Sequence, residues 1–284
     1  MRKILIPTDF SNNAFNALKF ALNLFKDDPC EFYLINAFQL YYFTTDSLLA
    51  PEPGEPAYDK AKIASKTGLE DLIEQISVMS ESSIHKFQTL SAYNSILEAI
   101  EEAIEAHKIE LIIMGTKGSN NQAAKLYGSS AVTVIQNIKK CPVLIIPEHT
   151  PYLHGVQKEI VLATNYKISY KLAEISYLKD IAKKYHAAIR VLYVKKHNEI
   201  SDDQLYNKNL LKEYFKDITH SFHILNQANV LQGIRSFIES RESTILAVVN
   251  KKHNFLHNIF SKSILKEIGY EPKIPILILH DSRL

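Results

Sequence analysis

The chain has 284 residues, of which 46% are hydrophobic and 23% charged, and its formal net charge is +2. This length suits two domains better than one core. Interleaved charges leave no broad basic face, which argues against nucleic acid or a membrane surface as a partner. The apolar runs fall short of the ~20 residues that a membrane helix needs, and Asp9 comes too early for a secretory leader. We therefore expect a cytoplasmic protein.

Strand-like and helix-like segments alternate through the first half of the chain. Amphipathic periodicity predicts helices, among them 13–25 and 95–106. The stretch 41–66, which contains three prolines and a glycine, is predicted to be a flexible loop beside the sheet edge. Short apolar runs rich in Ile, Leu and Val predict strands at 3–7, 32–37, 86–90, 111–115 and 143–147.

The second half repeats the first after a connector at 149–157. The segment KEIVLATNY (158–166) resembles RKILIPTDF (2–10), and KIPILIL (273–279) resembles KCPVLII (140–146). Between them, ILAVVN (245–250) matches ELIIMG (110–115). We therefore predict two copies of one domain, at 1–148 and 157–284.

Alternating strands and helices predict the α/β class, here as two tandem doubly wound parallel sheets of five strands with helices on both faces. If the strand order is 3-2-1-4-5, the loops after the first and fourth strands face one crevice, where such sheets bind ligands. In the first copy these loops follow Pro7 and Met114.

The loop after the fourth strand is rich in glycine, although the chain holds only 8 glycines. Gly115 and Gly118 would let backbone amides approach a phosphate and would allow positive φ, and Gly128, Ser129 and Ser130 would open a helix whose amides attract anions. Asp9 could accept hydrogen bonds from a ribose or hold Mg²⁺ through water. A structural interpretation is also open: the glycines could serve turns, and Ser129 and Asp9 could cap helices.

The pattern Gly-x2-Gly-x9-Gly-Ser, with Pro-Thr-Asp after the first strand, resembles the ATP-binding class of the universal stress protein family over nearly the whole chain, as a tandem pair. The resemblance implies Asp9 near the ribose and the backbone around Ala37 against adenine. It also implies a phosphate site, and the ligand would be ATP, ADP or AMP, with Mg²⁺. The predicted binding residues are Pro7, Thr8, Asp9, Ala37, Met114, Gly115, Gly118, Gly128, Ser129 and Ser130.

The second copy departs from this pattern. Asp9 is replaced by Asn165, Gly115 by Asn250 and Gly118 by His253, so we expect no nucleotide to bind there in the same way. Domains of the resembled family pair through the last strand, here 143–147 and 276–280, so the second copy would act as a pseudo-dimer partner. A homodimer of tandem chains is a further expectation.

The sequence thus predicts a regulatory stress-response protein that binds ATP in its first copy and acts on a protein partner that the sequence does not name. The alternatives are a slow ATP hydrolase and a tandem scaffold that binds no nucleotide. We assign no catalytic residue, because no water-positioning residue, Gly-x4-Gly-Lys lysine or carboxylate pair stands by the glycines. His253 and His257 have the spacing of zinc ligands but lack an evident third ligand, so we assign no metal site.

Overall fold

The computed structural model describes residues 1–39, 42–43, 48–49, 51–79, 84–116, 129–150, 158–195, 200–226, 229–250 and 273–280. The chain divides into two compact units, Met1–Cys141 and Pro142–Leu284. The predicted boundaries, 1–148 and 157–284, differ from this division in where they place the strand near 143, and they stay a prediction.

The first unit contains a parallel sheet, and its described strands follow the order β5-β2-β1-β6. Leu5 and Ile6 are neighbours on β1, so their side chains point to opposite faces of the sheet, and both are fully buried. Both faces of the central strand are therefore covered. The elements are β1 (Arg2–Pro7), α1 (Asn12–Leu24), β2 (Cys30–Ala37), β3 (Tyr42–Phe43), β4 (Leu48–Leu49), α2 (Pro56–Met79), β5 (Lys86–Ala92), α3 (Ile96–His107), β6 (Leu111–Gly115) and α4 (Ser129–Asn137).

The second unit holds a sheet in the full predicted order, β10-β9-β8-β11-β12, with all of these strands parallel. This α/β fold with the strand order 3-2-1-4-5 confirms the predicted fold class. The elements are β7 (Val143–Ile146), β8 (Glu159–Ala163), α5 (Leu172–Lys184), β9 (Ala188–Lys195), α6 (Asp202–Tyr214), β10 (His220–Asn226), α7 (Val230–Arg241), β11 (Ile245–Asn250) and β12 (Ile276–His280).

Two pairs of corresponding helices have the same length in the two copies, and one of these pairs also ends in the same way. Helices α1 and α5 each have 13 residues, and α3 and α7 each have 12. Both α3 and α7 end on a non-glycine residue in the left-handed conformation, Lys108 (φ 58°) and Glu242 (φ 52°). The repeat seen in the sequence is therefore also present in local backbone geometry.

The last strands of the two copies pair with each other, as the sequence analysis expected. β7, which the division places in the second unit, runs antiparallel to β12, and Leu144 lies opposite Leu277. Every residue of both strands is buried. The pairing therefore leaves neither strand as an exposed edge.

The prediction of a flexible loop over 41–66 is wrong for its last part. Helix α2 begins at Pro56, and β3 and β4 form a small antiparallel pair before it. Proline is well suited to the first turn of a helix because the amide it lacks has no partner there. The proline-rich composition thus marks a helix start. Positions 41, 44–47 and 50 lie outside the described residues.

No helix that the structure describes combines the length and the apolar composition needed to cross a membrane.

Candidate functional site

A cavity of about 120 Å³ lies at the carboxyl ends of the strands of the first unit. Sites for whole drug-sized ligands measure about 300–1,000 Å³. The cavity can therefore enclose one part of such a ligand, with the remainder outside it. Its lining residues are Pro7, Thr8, Asp9, Ala14, Ala37, Ile96, Met114, Gly115, Thr116, Ser130 and Ala131.

Most of the predicted binding residues line this cavity together. Ser129 is the first residue of α4 and directly precedes Ser130. Gly118 and Gly128 lie outside the described residues. The predicted residues in the lining are Pro7, Thr8, Asp9, Ala37, Met114, Gly115 and Ser130.

Sequence reasoning missed four lining residues: Ala14, Ile96, Thr116 and Ala131. Ala14 lies in the first turn of α1, Ile96 begins α3, and Ala131 lies in the first turn of α4. The signal available in the sequence was position: in a parallel sheet, the helix after each strand begins at the carboxyl edge. These residues were not predicted because small or apolar side chains do not by themselves indicate a binding site.

One wall of the cavity is a tight turn after β1. The Phe10 amide donates to Thr8 Oγ1 at 3.0 Å, and the Ser11 amide donates to Asp9 Oδ1 at 3.1 Å. Phe10 has a left-handed backbone, with φ 61°. These bonds hold the exposed Asp9 side chain at the cavity.

Ser11, and not Asp9, caps the helix that follows. Its hydroxyl accepts a hydrogen bond from the Ala14 amide at 3.2 Å, which is the contact expected of an N-cap residue. The interpretation of Asp9 as the helix cap is therefore wrong.

Asn36 fixes the same turn from the neighbouring strand. Its Nδ2 donates to the Thr8 carbonyl at 2.8 Å, and the Thr8 amide donates to the Ile35 carbonyl at 2.8 Å. Asn36 and Thr8 are both buried, so leaving either group unpaired would be costly. The sequence analysis did not single out Asn36, because its partner is in another strand.

The opposite wall begins at Gly115, where the absence of a side chain serves packing. A Cβ at this position would lie 2.9 Å from Asn13 Cγ and 3.0 Å from the Asn13 carbonyl oxygen. Asn13 Nδ2 also donates to Thr116 Oγ1 at 3.3 Å. Gly115 does not have the positive φ that we expected. It permits the close approach of α1 instead.

The first turn of α4 completes this wall, since Ser130 and Ala131 line the cavity. The first amides of a helix have no partner within it, and the helix dipole gives this end a partial positive charge. Ser130 is exposed and adds a hydroxyl. The wall can therefore bind an anion, while Asp9 on the other wall can accept hydrogen bonds or hold a cation.

The second copy has the same turn but a different surrounding. The Tyr166 amide donates to Thr164 Oγ1 at 3.0 Å and the Lys167 amide to Asn165 Oδ1 at 3.0 Å, with Tyr166 at φ 55°. However, the Tyr170 hydroxyl lies 2.7 Å from Thr164 Oγ1, and both residues are buried. Thr164, the counterpart of Thr8, is thus hydrogen-bonded to a buried phenol.

Helix α6 makes two further hydrogen bonds to this turn. Gln204 Nε2 donates to the Asn165 carbonyl at 2.7 Å, and Asn207 Nδ2 donates to the Tyr166 carbonyl at 2.8 Å. Asn250, the counterpart of Gly115, ends β11. His253 and the rest of the loop lie outside the described residues.

The described residues contain no group of three or more His, Cys, Asp or Glu side chains that could hold a metal ion. His253 and His257 lie outside the described residues.

Comparison with known proteins places this arrangement in a family. The profile of the Universal stress protein family matches residues 1–147 of this chain. The chain belongs to the universal stress protein family. The predicted resemblance is thereby confirmed, and the tandem arrangement fits its length.

A curated relative agrees with this assignment, and two solved structures are similar to the chain in fold. Universal stress protein MJ0531 of Methanocaldococcus jannaschii is 31% identical over 145 residues, which cover 51% of this chain and 81% of the relative. A universal stress protein from Archaeoglobus fulgidus has a TM-score of 0.71 at 17% identity, covering 99% of this chain and 97% of its own. PA1789, a functionally unknown protein from Pseudomonas aeruginosa, has a TM-score of 0.61 at 15% identity, with coverages of 99% and 92%. At these identities the two structures are similar in fold.

Proposed function

We propose that the first copy binds ATP, or the related nucleotides ADP or AMP, together with Mg²⁺, and that the protein acts as a nucleotide-responsive regulator in a stress response. One observation carries the proposal. The loops after β1 and β6, which the sequence motif selects, line a single cavity together with the end of β2 and the start of α4. Membership of the universal stress protein family supports the stress-response part.

The chemistry of the two walls matches the parts of a nucleotide. The Asp9 carboxylate suits ribose hydroxyls, which donate hydrogen bonds, or a hydrated Mg²⁺. The α4 end of the opposite wall suits phosphate. The backbone at Ala37, with the apolar Ile96 near it in the lining, suits the edge and face of adenine. Gly118, Gly128 and Ser129 complete the proposed phosphate site by the resemblance to the family.

We propose a binding protein in preference to an enzyme. Asp9 is the one ionisable side chain among the described lining residues, whereas rapid phosphoryl transfer uses several positioned charges and a residue that orients the nucleophile. Any hydrolysis by this site would therefore be slow. Rapid multiple turnover of ATP would contradict this part of the proposal.

The second copy is proposed as a partner domain without nucleotide. The buried Tyr170 hydroxyl is hydrogen-bonded to Thr164, and Asn165 lacks the charge of Asp9. Its last strand, β12, pairs with β7 and so supports a role as a pseudo-dimer partner. A homodimer of tandem chains and an effector protein that recognises the nucleotide-bound form belong to the same proposal.

The proposal places the protein in the cytoplasm. Cys30 and Cys141 are free and buried. Burial raises the pKa of the Cys30 thiol to about 11 and that of Cys141 to about 12, so both stay protonated and unreactive. Free thiols are the usual state in the reducing cytoplasm.

The test is calorimetric titration of the full chain with ATP and Mg²⁺, repeated with Ser130→Asp. Aspartate in the first turn stabilises a helix by about 0.3–1 kcal/mol, so α4 should stay folded. Its charge would repel phosphate, and we expect ATP affinity to fall at least about tenfold.

Gln136→Glu is the matched control, because it adds the same charge to an exposed position of the same helix outside the cavity lining. This variant should bind ATP like the unmodified protein. Equal affinities for all three proteins would contradict the proposed phosphate site, and no binding by the unmodified chain would leave a tandem scaffold.

A further inference from the structure

We propose that helix α2 senses whether the cavity is occupied, because it contacts the residues that directly follow two of the cavity-lining positions, Asp9 and Ala37. The inference rests on the proposed nucleotide binding and adds its regulation.

The first contact joins α2 to the turn of Asp9. A Cβ added to Gly68 would lie 2.6 Å from Phe10 Cζ, 2.8 Å from Cε2 and 2.9 Å from Cε1. The Phe10 ring therefore packs directly on the backbone of α2 at Gly68, in space that no other residue type leaves open. Phe10 follows Asp9, and its left-handed backbone is part of the same turn.

The second contact joins α2 to Phe38, the residue that follows the lining residue Ala37. The ring of Phe38, the next residue, lies 6.2 Å from the ring of Tyr58 on α2 and 5.4 Å from that of Tyr93. Tyr58 and Tyr93 meet edge to face at 4.9 Å. Aromatic pairs at such distances attract each other. Helix α2 thus contacts two rings, those of Phe10 and Phe38, and each ring belongs to a residue that directly follows a lining residue.

The remaining anchorage of α2 is modest for its length. The helix has 24 residues, and its buried residues are Ser65, Leu69, Leu72 and Ile76. Most of its other side chains are exposed, including Ile63 and Val78. A small change at the two ring contacts therefore acts on a helix that few buried side chains hold in place.

A ligand has a direct means of acting on the first contact. The Asp9 carboxylate holds the Ser11 amide in the turn, and a ribose hydroxyl or hydrated Mg²⁺ would bind the same carboxylate. Ligand binding therefore changes the forces on the turn that carries Phe10. An interaction that differs between two states is what allows a ligand to shift their populations.

In the second copy, the corresponding helix is joined to the turn by hydrogen bonds and not by a ring contact. There the counterpart helix α6 holds the turn by hydrogen bonds from Gln204 and Asn207, both buried. Hydrogen bonds fix direction, whereas dispersion contacts between a ring and a glycine backbone depend on how closely the two approach. The copy proposed to bind a nucleotide thus has the adjustable contact.

The experiment measures hydrogen exchange of the full chain with and without ATP and Mg²⁺, followed on peptides from Pro56–Met79. A coupling of 1–3 kcal/mol corresponds to about 5–150-fold, so we expect ATP to slow exchange of α2 amides about fivefold or more. Calorimetry on the same samples establishes that ATP is bound.

Gly68→Ala should reduce this effect. The new methyl group displaces the Phe10 ring, while alanine favours a helix over glycine by about 1 kcal/mol, so loss of coupling cannot be ascribed to unfolding of α2. Since no lining residue changes, ATP affinity should stay within about threefold. Thr67→Ala, an exposed neighbour on the same helix, is the control and should keep the full effect.

The outcomes separate the two proposals. ATP binding with unchanged exchange in α2 would overturn the sensing role and leave the nucleotide site standing. A full exchange effect in Gly68→Ala would overturn the role of the Phe10 contact. Absence of ATP binding to the unmodified chain would overturn both proposals.

Discussion

At the scale of single residues, the two copies supply their own control for Asp9. Asn165 makes the same turn, with Oδ1 accepting the Lys167 amide at 3.0 Å where Asp9 Oδ1 accepts the Ser11 amide at 3.1 Å. An asparagine at position 9 should therefore preserve the turn and remove only the charge. Asp9 can thus be tested without disturbing the fold.

We predict that Asp9→Asn weakens binding of ATP with Mg²⁺ about tenfold, since hydrogen bonds to a charged group contribute about 1.5–3 kcal/mol. Calorimetric titration measures the change. Asn165→Asp is the matched control and should not alter affinity or create a second site, because Tyr170, Gln204 and Asn207 are hydrogen-bonded to the second turn. Unchanged affinity in Asp9→Asn would remove Asp9 from the proposed site.

Glu159, the first residue of β8, shows how a buried charge is held. Arg190 Nε donates to its Oε2 at 2.7 Å, Arg241 Nε donates to its Oε1 at 2.7 Å, and Ser243 Oγ donates to Oε1 at 3.1 Å. Burial alone would raise the pKa of Glu159, but the hydrogen bonds from Arg241, Arg190 and Ser243 outweigh burial and lower it to about 2. The ionised form is therefore strongly favoured in the folded protein.

This pKa predicts a stability contribution that depends on pH. Because the pKa is lower when folded than the usual 4.5, the contribution is fully present above pH 4.5 and is lost as pH falls through about 2. It amounts to about 3 kcal/mol. Glu159→Gln should flatten the dependence of unfolding free energy on pH in that range and lower stability at pH 7 by about 3–5 kcal/mol, because it leaves two arginines unpaired with a carboxylate.

Denaturant unfolding followed by tyrosine fluorescence at several pH values measures this effect. Glu213→Gln is the control, since Glu213 forms an exposed pair with Lys216, and such pairs contribute about 0–1 kcal/mol. Equal pH profiles for Glu159→Gln and the unmodified protein would contradict the assigned role.

At the scale of elements, Gly115 determines how closely α1 approaches the end of β6. A Cβ there would meet the Asn13 carbonyl oxygen at 3.0 Å, and a backbone atom cannot turn aside. We predict that Gly115→Ala lowers the free energy of unfolding by about 1–3 kcal/mol, as overpacking does. A shift in the urea midpoint measures it.

Gly68→Ala is the comparison, because its Cβ would meet only the tip of the Phe10 ring, which can move. This change should leave the urea midpoint unchanged or raise it. If Gly115→Ala were equally harmless, α1 would not depend on the close approach at Gly115.

The same scale shows what the sequence could predict. Parallel strands buried on both faces are continuous apolar runs, so β6 was predicted with the bounds it has, Leu111–Gly115. The start of α2 at Pro56 was missed because a run of prolines also favours loops. Asn36 and Tyr170 could not be found, because each acts through a partner on another segment, and one sequence does not reveal such pairs.

At the scale of the whole molecule, one architecture is used twice with different surroundings at the same turn. The first copy has a cavity beside Asp9, and the second has Tyr170, Gln204 and Asn207 around Asn165 and Tyr166. The family and the fold were predictable because the motif and the repeat extend along the chain. The hydrogen bonds to the second turn were not predictable, because they come from side chains outside the motif.

Stoichiometry tests this asymmetry, and with it the central claim, most directly. Calorimetric titration of the full chain with ATP and Mg²⁺ should give one site per chain, and Asp9→Asn should weaken that site. Two sites per chain would contradict the closed second copy, and no binding would contradict the nucleotide site in the first.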